Sequence, residues 1–431
     1  MQFKSSTINI NKKEEDSTWD FKGSDTKYSN HGIHNYPAMM IPQIARRLIE
    51  EYGKNASVLL DPFMGSGTAL LEAKLHSNFK EAYGVDINPL ALLVSKVKTT
   101  PIDDKLLFQE YENIINRFYK AKKTLNENIE TPDFFNIDYW FKKEVKLDLT
   151  LLKKSIESIH LDDTKLENDV KDFFNIVFSN VTRTVSNTRN GEYKLYRIKK
   201  ETLEDYNPDT FLEFKKQAKT NIKKMSEFNK QFKSCKVNIL DEDTRYKTSI
   251  PSNHVDIVVT SPPYGDSRTT VAYGQFSRLS LQWLGFEKKE VSAIDKHGLG
   301  GIPTADLDNT LNSPLLQEII DKIAQLDEKR VKDVLSFYKD FYQCVIEIDR
   351  VMKTGGFLCF VVGNRTVKGV QIPTDDIIIE LFKSKNEYKH HKTIIRNIPS
   401  KRLPKRNSPT NVKGKTLSTM NHEYIVILEK I

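Results

Sequence analysis

The chain has 431 residues, with 66 Lys and Arg against 58 Asp and Glu and a formal net charge of +8. That length fits one large domain or two ordinary ones, and the absence of any apolar run near the length of a bilayer span sets aside a membrane-spanning class. Three widely spaced cysteines, Cys235, Cys344 and Cys359, set aside a disulfide framework and a structural zinc and point to a reducing compartment, while the basic balance favours a polyanionic partner.

Residues 1–30 are polar and irregular and are expected to form a flexible N-terminal arm. Met1 to Ile10 lack the basic-then-apolar pattern of a signal peptide, so a cytoplasmic location is expected. After His31-Gly32-Ile33-His34-Asn35-Tyr36-Pro37-Ala38, the spacing of Ile44, Leu48 and Ile49 predicts a helix over Pro42–Tyr52. Ser57-Val58-Leu59-Leu60 reads as a strand that runs into Asp61-Pro62-Phe63-Met64-Gly65-Ser66-Gly67-Thr68, with a helix from Ala69 to His76. Two glycines between a strand and a helix allow positive φ and close approach of a ligand to the backbone, or simply a tight turn. A second strand, Glu81 to Val85, ends at Asp86-Ile87-Asn88-Pro89. An acid there can accept hydrogen bonds from both hydroxyls of a ribose, or cap the next helix. A triphosphate loop of the G-x-x-x-x-G-K-[ST] type is absent.

From Pro101 to Lys233 the chain turns rich in Lys, Asn, Glu and aromatics, with few glycines. It reads as a helical insertion whose Phe134-Phe135, Tyr139-Trp140-Phe141 and Phe173-Phe174 clusters belong to a core. Within it, Ser179 to Lys200 carries Arg183, Arg189, Lys194, Arg197 and the turn signal Asn190-Gly191. This is either a basic hairpin that touches phosphates or a solvated face.

Lys236 to Asp241 reads as a third strand, with Asp241 placed near the base edge of a bound nucleoside. Val255 to Val259 is a buried strand that Thr260-Ser261-Pro262-Pro263-Tyr264 must end, because consecutive prolines donate no ladder bonds. The resulting stiff loop at a carboxyl strand end offers a hydroxyl, a carbonyl and a flat ring, and no charged nucleophile. That set suits a planar group bearing an NH2. Arg268 and Tyr273 follow, either lining a binding cleft or filling ordinary loop roles. Helices are predicted over Gln275–Leu284, Leu315–Leu326 and Val331–Met352, then a strand over Phe357–Val362 and a helix over Thr374–Phe382. A basic segment from Lys383 to Lys415 holds Arg396, Lys401, Arg402, Lys405 and Arg406, before a closing strand over Tyr424–Glu429. Strands alternating with helices define an α/β class.

Asp61 to Thr68 resembles the cofactor motif, and Thr260 to Tyr264 the catalytic motif, of S-adenosylmethionine-dependent amino-group DNA methyltransferases. The Ser-Pro-Pro-Tyr form is that of the cytosine-N4 enzymes; adenine-N6 enzymes more often carry Asp or Asn at the position of Ser261. The resemblance covers residues 31–100 and 235–430. It implies a doubly wound, mostly parallel, seven-stranded Rossmann-like sheet with a C-terminal β-hairpin. It also implies a catalytic domain of residues 31–100 and 235–431, and an insertion of residues 101–234 as candidate target-recognition region.

The same resemblance implies S-adenosylmethionine held by Tyr36, Asp61, Pro62, Phe63, Gly65, Gly67, Thr68, Asp86, Ile87 and Asp241, and catalysis by Ser261, Pro262, Pro263 and Tyr264, with no metal. Duplex DNA is the implied partner, and Arg183, Arg189, Arg268, Lys401, Arg402, Lys405 and Arg406 are the candidate contacts. A monomer is expected, working beside a separate restriction endonuclease. Carbon-5 chemistry is set aside because it needs a Pro-Cys pair, and none of the three cysteines follows a proline. Adenine-N6 methylation, RNA base methylation and a non-catalytic nucleic-acid-binding role stand as alternatives.

Overall fold

A computed structural model describes residues 12–124, 129–189, 191–266, 269–398, 406–407, 417–418 and 420–431. In chain order, the first half contains β1 (Lys13–Glu15), α1 (Pro42–Tyr52), β2 (Val58–Asp61), α2 (Thr68–His76), β3 (Glu81–Asp86) and α3 (Pro89–Thr99). Six helices follow: α4 (Asp104–Lys123), α5 (Ile137–Trp140), α6 (Lys143–Glu157), α7 (Thr164–Val185), α8 (Lys200–Asp205) and α9 (Thr210–Asn229). The second half returns to the sheet with β4 (Lys236–Asp241), β5 (Val255–Thr260), α10 (Tyr273–Leu284), α11 (Lys288–His297), α12 (Pro314–Ala324), α13 (Glu328–Val351) and β6 (Met352–Val362). It closes with β7 (Thr366–Val367), β8 (Val370–Gln371), α14 (Thr374–Lys383), β9 (Tyr388–Asn397), β10 (Arg406–Asn407), β11 (Leu417–Ser418) and β12 (His422–Lys430).

The main sheet runs β1-β9-β12-β6-β5-β2-β3-β4. Strands β4, β3, β2, β5 and β6 are mutually parallel, and β12 runs antiparallel to both β6 and β9. All four residues of β2 are buried, as expected of a strand covered by helices on both faces. From β2 the chain winds outward through β3 to β4, then returns to the other side of β2 with β5. The order in which the chain adds strands therefore reverses between β2 and β5, and the loops at their carboxyl ends flank the crevice where open α/β sheets bind ligands.

The α/β class and the antiparallel C-terminal pair are as the sequence led one to expect, but the strand count is eight where seven were expected. The extra strand comes from the N-terminal arm. Residues 12–30 are not loose: β1 pairs in parallel with β9, Trp19 is fully buried, and Lys13 bridges Asp375 and Asp376 at 2.7 Å each. The arm is polar because it lies on an edge, and one tryptophan anchors it. A second difference concerns the basic C-terminal segment, which contains the ten-residue strand β9. There Arg396 is buried, so it is not a surface cation.

Helices α4, α6, α7 and α9 of the insertion share one core with α3 and α10. Leu90 and Val94 of α3, Phe173 and Phe178 of α7, and Trp283 of α10 all belong to it. The insertion thus buries its apolar faces against the sheet's own helices, and it forms the wall beyond β3. Among the described residues no helix is long and apolar enough to cross a membrane.

Candidate active site

The turn after β2 is built for close approach. Gly65 and Gly67 have φ of 48° and 73°, the left-handed region that glycine tolerates best. A Cβ on Gly67 would stand 2.8 Å from Ser95 Oγ, and one on Gly65 would stand 3.4 Å from the Tyr36 ring. Met64 N donates to Val85 O at 3.1 Å, which ties the turn to β3, and Ser95 Oγ donates to Gly65 O at 2.9 Å.

Asp86, at the end of β3, accepts from Gly65 N at 2.9 Å through one oxygen and from Asn88 N at 2.8 Å through the other. The capping role belongs to its neighbour, since Asn88 Oδ1 accepts from Leu90 N at 3.1 Å at the start of α3. Asp86 is therefore free of helix-capping duty and faces the crevice. Loss of water pushes its carboxyl up to about 6, against the pull of its backbone donors and with help from the charge of Asp241. Asp61 closes the floor. It is buried and pushed up to about 7, chiefly by loss of water, although Thr260 Oγ1 donates to it at 2.6 Å and Phe63 N at 3.2 Å.

Over the turn lies the segment before α1. The hydroxyl of Tyr36 accepts from Asn88 Nδ2 at 3.0 Å, and its ring stacks on Tyr273 at 5.9 Å between centroids. Two histidines fix that segment: His31 bonds the buried Glu72 at 2.7 Å, and His34 bonds Ser179 of α7 at 2.8 Å. The cover is thus fastened to the sheet helices on one side and to the insertion on the other.

Together these groups line one cleft that opens to solvent. Of the sequence-predicted cofactor residues, Tyr36, Asp61, Pro62, Phe63, Gly65, Thr68, Asp86 and Ile87 line it. Gly67 stands behind, at the first turn of α2. Asp241 does not line the cleft; it is exposed, in register with Asp86, and the chain turns Glu242, Asp243 and Thr244 inward in its place. Sequence reasoning missed these three, and also Asp295 and His297, which reach the cleft from the end of α11. No local signal marks them, because only the packing of α11 against α10 brings them there.

The Ser-Pro-Pro-Tyr loop leaves β5 on the same side. Ser261 and Pro263 line the cleft, so the loop and the glycine turn share one cavity. Pro262 is buried and Tyr264 half-buried. The Tyr264 hydroxyl donates to Glu423 Oε1 at 3.1 Å, and burial pushes that phenol well above its ordinary value. Asp266 follows, buried and held low against its own burial by Thr269 and by Arg365, whose guanidinium lies 2.8 Å away.

The predicted nucleic-acid contacts divide. Arg183 is overturned as a phosphate contact. It is buried under the Phe276 ring, spends its guanidinium on the carbonyls of Phe276, Glu192 and Tyr193, and is lowered to about 10 by burial. It sits on the inner face of α7, which the charge count alone does not reveal. Arg189 is exposed at the start of a short hairpin in which Thr188 pairs with Arg197. Arg268, Lys401, Arg402 and Lys405 lie outside the described residues, and the backbone of Arg406 pairs with Ser418.

A parallel sheet with a glycine turn after its first central strand, an uncapped acid after the next and a Ser-Pro-Pro-Tyr loop across the crevice defines a class: S-adenosylmethionine-dependent methyltransferases of amino groups. The chain belongs to the N6/N4 DNA methylase family, whose profile matches residues 2–97 and 255–431. The unmatched stretch between them contains the helical insertion. The chain is 42% identical over 430 residues to the type II methyltransferase M.MvaI of Kocuria varians, covering 95% of this chain and 93% of that one. It is 24% identical over 297 residues to M.BsoBI of Geobacillus stearothermophilus, covering 62% and 55%. Among solved structures, TrmN from Thermus thermophilus is 10% identical, covering 91% of this chain and 48% of that one at a TM-score of 0.27.

The residues present fit S-adenosylmethionine. The turn has two left-handed glycines, one of them, Gly67, at a point where a side chain would collide, and two carboxylates face a cleft with few competing cations. An acceptor-only group such as ionised Asp86 matches a pair of ribose hydroxyls. The chain is accordingly an S-adenosylmethionine-dependent amino-group DNA methyltransferase.

Proposed function

We propose that the enzyme methylates the exocyclic N4 of cytosine swung out of duplex DNA, as the modification half of a restriction–modification system. The observation that carries this reading is Ser261, a hydroxyl lining the cofactor cleft at the position where adenine-N6 enzymes more often present an acid or amide. The system-level reading rests on the type II name of the 42% identical relative, and makes a separate endonuclease the partner. The enzyme works as a monomer in the cytoplasm of a prokaryote.

S-adenosylmethionine supplies a methyl group on a positively charged sulfur, electrophilic because a neutral thioether leaves. The rest is positioning by the chain. Asp86 takes the ribose, Gly65 and Gly67 admit the cofactor to the backbone, and Tyr36 covers it. The amino nitrogen of cytosine is a poor nucleophile because its lone pair delocalises into the ring. Ser261 Oγ and the Pro262 carbonyl accept its two hydrogens and aim the lone pair, an orientation effect that needs no covalent intermediate. Tyr264 offers its ring to the flipped base, an interaction worth about 1–3 kcal/mol in single-stranded complexes. Arg189, Arg268 and the cations Lys401, Arg402, Lys405 and Arg406 contact phosphates.

The test is methylation of mixed-sequence duplex DNA, digestion to nucleosides and mass spectrometry against standards. N4-methylcytosine is the expected product. N6-methyladenine would overturn the role given to Ser261 while leaving the family intact.

A further inference from the structure

Two side chains behind the catalytic loop, Arg396 and Glu423, form a line with Tyr264 that the methyl-transfer chemistry does not by itself require. Arg396 of β9 is buried; its Nε donates to Trp19 O at 2.8 Å, Nη2 donates to Asp20 O at 3.2 Å, and Nη1 pairs with Glu423 of β12. Glu423 in turn takes the hydroxyl of Tyr264 at 3.1 Å. Tyr264 stands at the end of a long 3.4 Å contact from Ser261 Oγ.

The direction of this line follows from what each group is able to give. A carboxylate paired with a guanidinium accepts only, so Tyr264 must spend its proton on Glu423. Its oxygen is then left with lone pairs alone and faces Ser261 as an acceptor. Ser261 has one proton, and the partner that wants it is Tyr264. The lone pairs of Ser261 Oγ are what remain for the cleft. The ring of Tyr264 is held in place by Gly363, where a Cβ would stand 2.8 Å from Tyr264 Cδ2. The line is therefore built from fixed parts: two adjacent strands, one glycine and a stiff double-proline loop.

We infer that Glu423 and Arg396 are positioning residues which, through Tyr264, fix Ser261 as a hydrogen-bond acceptor, so that the site admits a base with an amino group and rejects its deaminated counterpart. This rests on the reading of Ser261 as the contact to the target amino group, and adds how the polarity of that contact is set. A base with a carbonyl in place of the NH2 would meet two acceptors, Ser261 Oγ and the Pro262 carbonyl, with no donor to answer it. Sites that leave buried polar groups unpaired discriminate strongly against such analogues.

The N-terminal segment enters the site by the same route, because Trp19 and Asp20 supply carbonyls that Arg396 would otherwise lack. It acts at a distance, by keeping the guanidinium aligned on Glu423.

The experiment uses the full-length enzyme with S-adenosylhomocysteine and two duplexes containing the methylated site, mapped beforehand by sequencing DNA methylated by the wild type. One duplex carries the target base and the other its deaminated counterpart, uracil for cytosine or hypoxanthine for adenine. The ratio of their dissociation constants is the readout. Tyr264→Phe keeps the ring and breaks the line, freeing the Ser261 proton to turn toward a carbonyl. The ratio is expected to shrink about 5- to 10-fold, the worth of one hydrogen bond. Glu423→Gln, a weaker acceptor, is expected to fall between Tyr264→Phe and wild type, and Ser261→Ala to lose the preference. In Glu423→Gln, which lies outside the cleft, affinity for S-adenosylhomocysteine alone stays at the wild-type value. An unchanged ratio in Tyr264→Phe and Glu423→Gln, with normal methylation by the wild type, overturns the inference alone. A wild type that methylates no DNA amino group overturns the reading beneath it as well.

Discussion

Thr260 Oγ1 lies 2.6 Å from Asp61 Oδ1, joining the last residue of β5 to the last residue of β2 across 199 positions of sequence. One residue further along each strand come Ser261 and Pro62, the starts of the catalytic loop and the cofactor turn. The bond thus ties the two halves of the site at their roots, and it supplies the side-chain donor to a carboxylate shut away from water. Thr260→Val keeps the shape and removes the hydroxyl. Asp61 Oδ1 then keeps only the longer bond from Phe63 N at 3.2 Å, and losing one buried hydrogen bond costs about 0.5–1.5 kcal/mol, so the denaturation midpoint should fall. Cofactor affinity by calorimetry should fall with it, because the turn that starts at Asp61 loses its tie to β5. A valine variant as stable and as tight-binding as wild type would show that the two loops are set independently.

Cofactor binding should strengthen as pH rises from about 5.5 to 7.5, the range in which raised carboxyls of this size titrate. Asp61 and Asp86 are pushed up to about 7 and about 6. Raised carboxyls make the native state hold protons more tightly than the unfolded chain. Their contribution to stability is then complete below about pH 4 and is lost as pH rises through those values. A cationic ligand with ribose hydroxyls selects the ionised form, so binding near pH 6 releases protons. Calorimetry in two buffers of different ionisation enthalpy reads that release directly. Asp86→Asn should weaken binding and remove the lower part of the pH rise. Affinity flat between pH 5 and 8 would contradict the assignment of Asp86 to the ligand.

Gly363→Ala tests whether the position of Tyr264 matters. The added Cβ would run into Met420 Sδ as well as the tyrosine ring, so one of them must move. Turnover on DNA is expected to fall at least about tenfold, as for other misplaced groups near a reacting atom, while cofactor affinity holds. Equal loss of both would mean that the variant disturbs the sheet and not the loop.

Trp19→Ala tests whether the N-terminal segment is part of the domain. The ring is fully buried, with the Arg47 guanidinium 4.0 Å above it. Removing so large a side chain from a core costs about 3–5 kcal/mol. Urea denaturation should show that loss as a lower midpoint with an unchanged slope.

How far the sequence could be read depended on the range of the forces involved. The strand-turn-helix of Val58 to His76 and the loop at Ser261 were legible, because apolar runs, glycines and prolines act within a few residues. The helix Pro42–Tyr52 and the strand Lys236–Asp241 agree with expectation to the residue. Tertiary pairing was not legible. Strand β1 is three polar residues that become a strand only beside β9, and β9 opens with the block Lys389-His390-His391-Lys392 before Thr393-Ile394-Ile395, so it reads as a basic loop. Arg183 and Arg396 counted as surface charge because nothing in the sequence shows which carbonyls lie opposite them. Asp241 was one residue too early: the turn after β4 carries the next three residues into the cleft.

The fate of Arg183 yields a contrast that separates charge that binds DNA from charge that holds the fold. Neutralising one cation that sits on a phosphate lowers the slope of log affinity against log salt by about 0.9. Changing Lys401, Arg402, Lys405 and Arg406 together to Gln should flatten that slope, by one such step for each of them that meets a phosphate, and should leave the thermal midpoint near wild type. Arg183→Met should do the reverse. Its guanidinium serves three backbone carbonyls under the Phe276 ring. Without it the hairpin loses the bonds that tie Glu192 and Tyr193 to α7, so the midpoint should drop, since each lost bond costs about 0.5–1.5 kcal/mol, and the salt slope should not move. Fluorescence titrations at several salt concentrations, paired with melting curves, read both quantities on the same samples. A flattened slope in Arg183→Met would return that residue to the DNA. A slope unmoved by the fourfold change would place the electrostatic footprint elsewhere, with exposed Arg189 and its hairpin the next surface to neutralise.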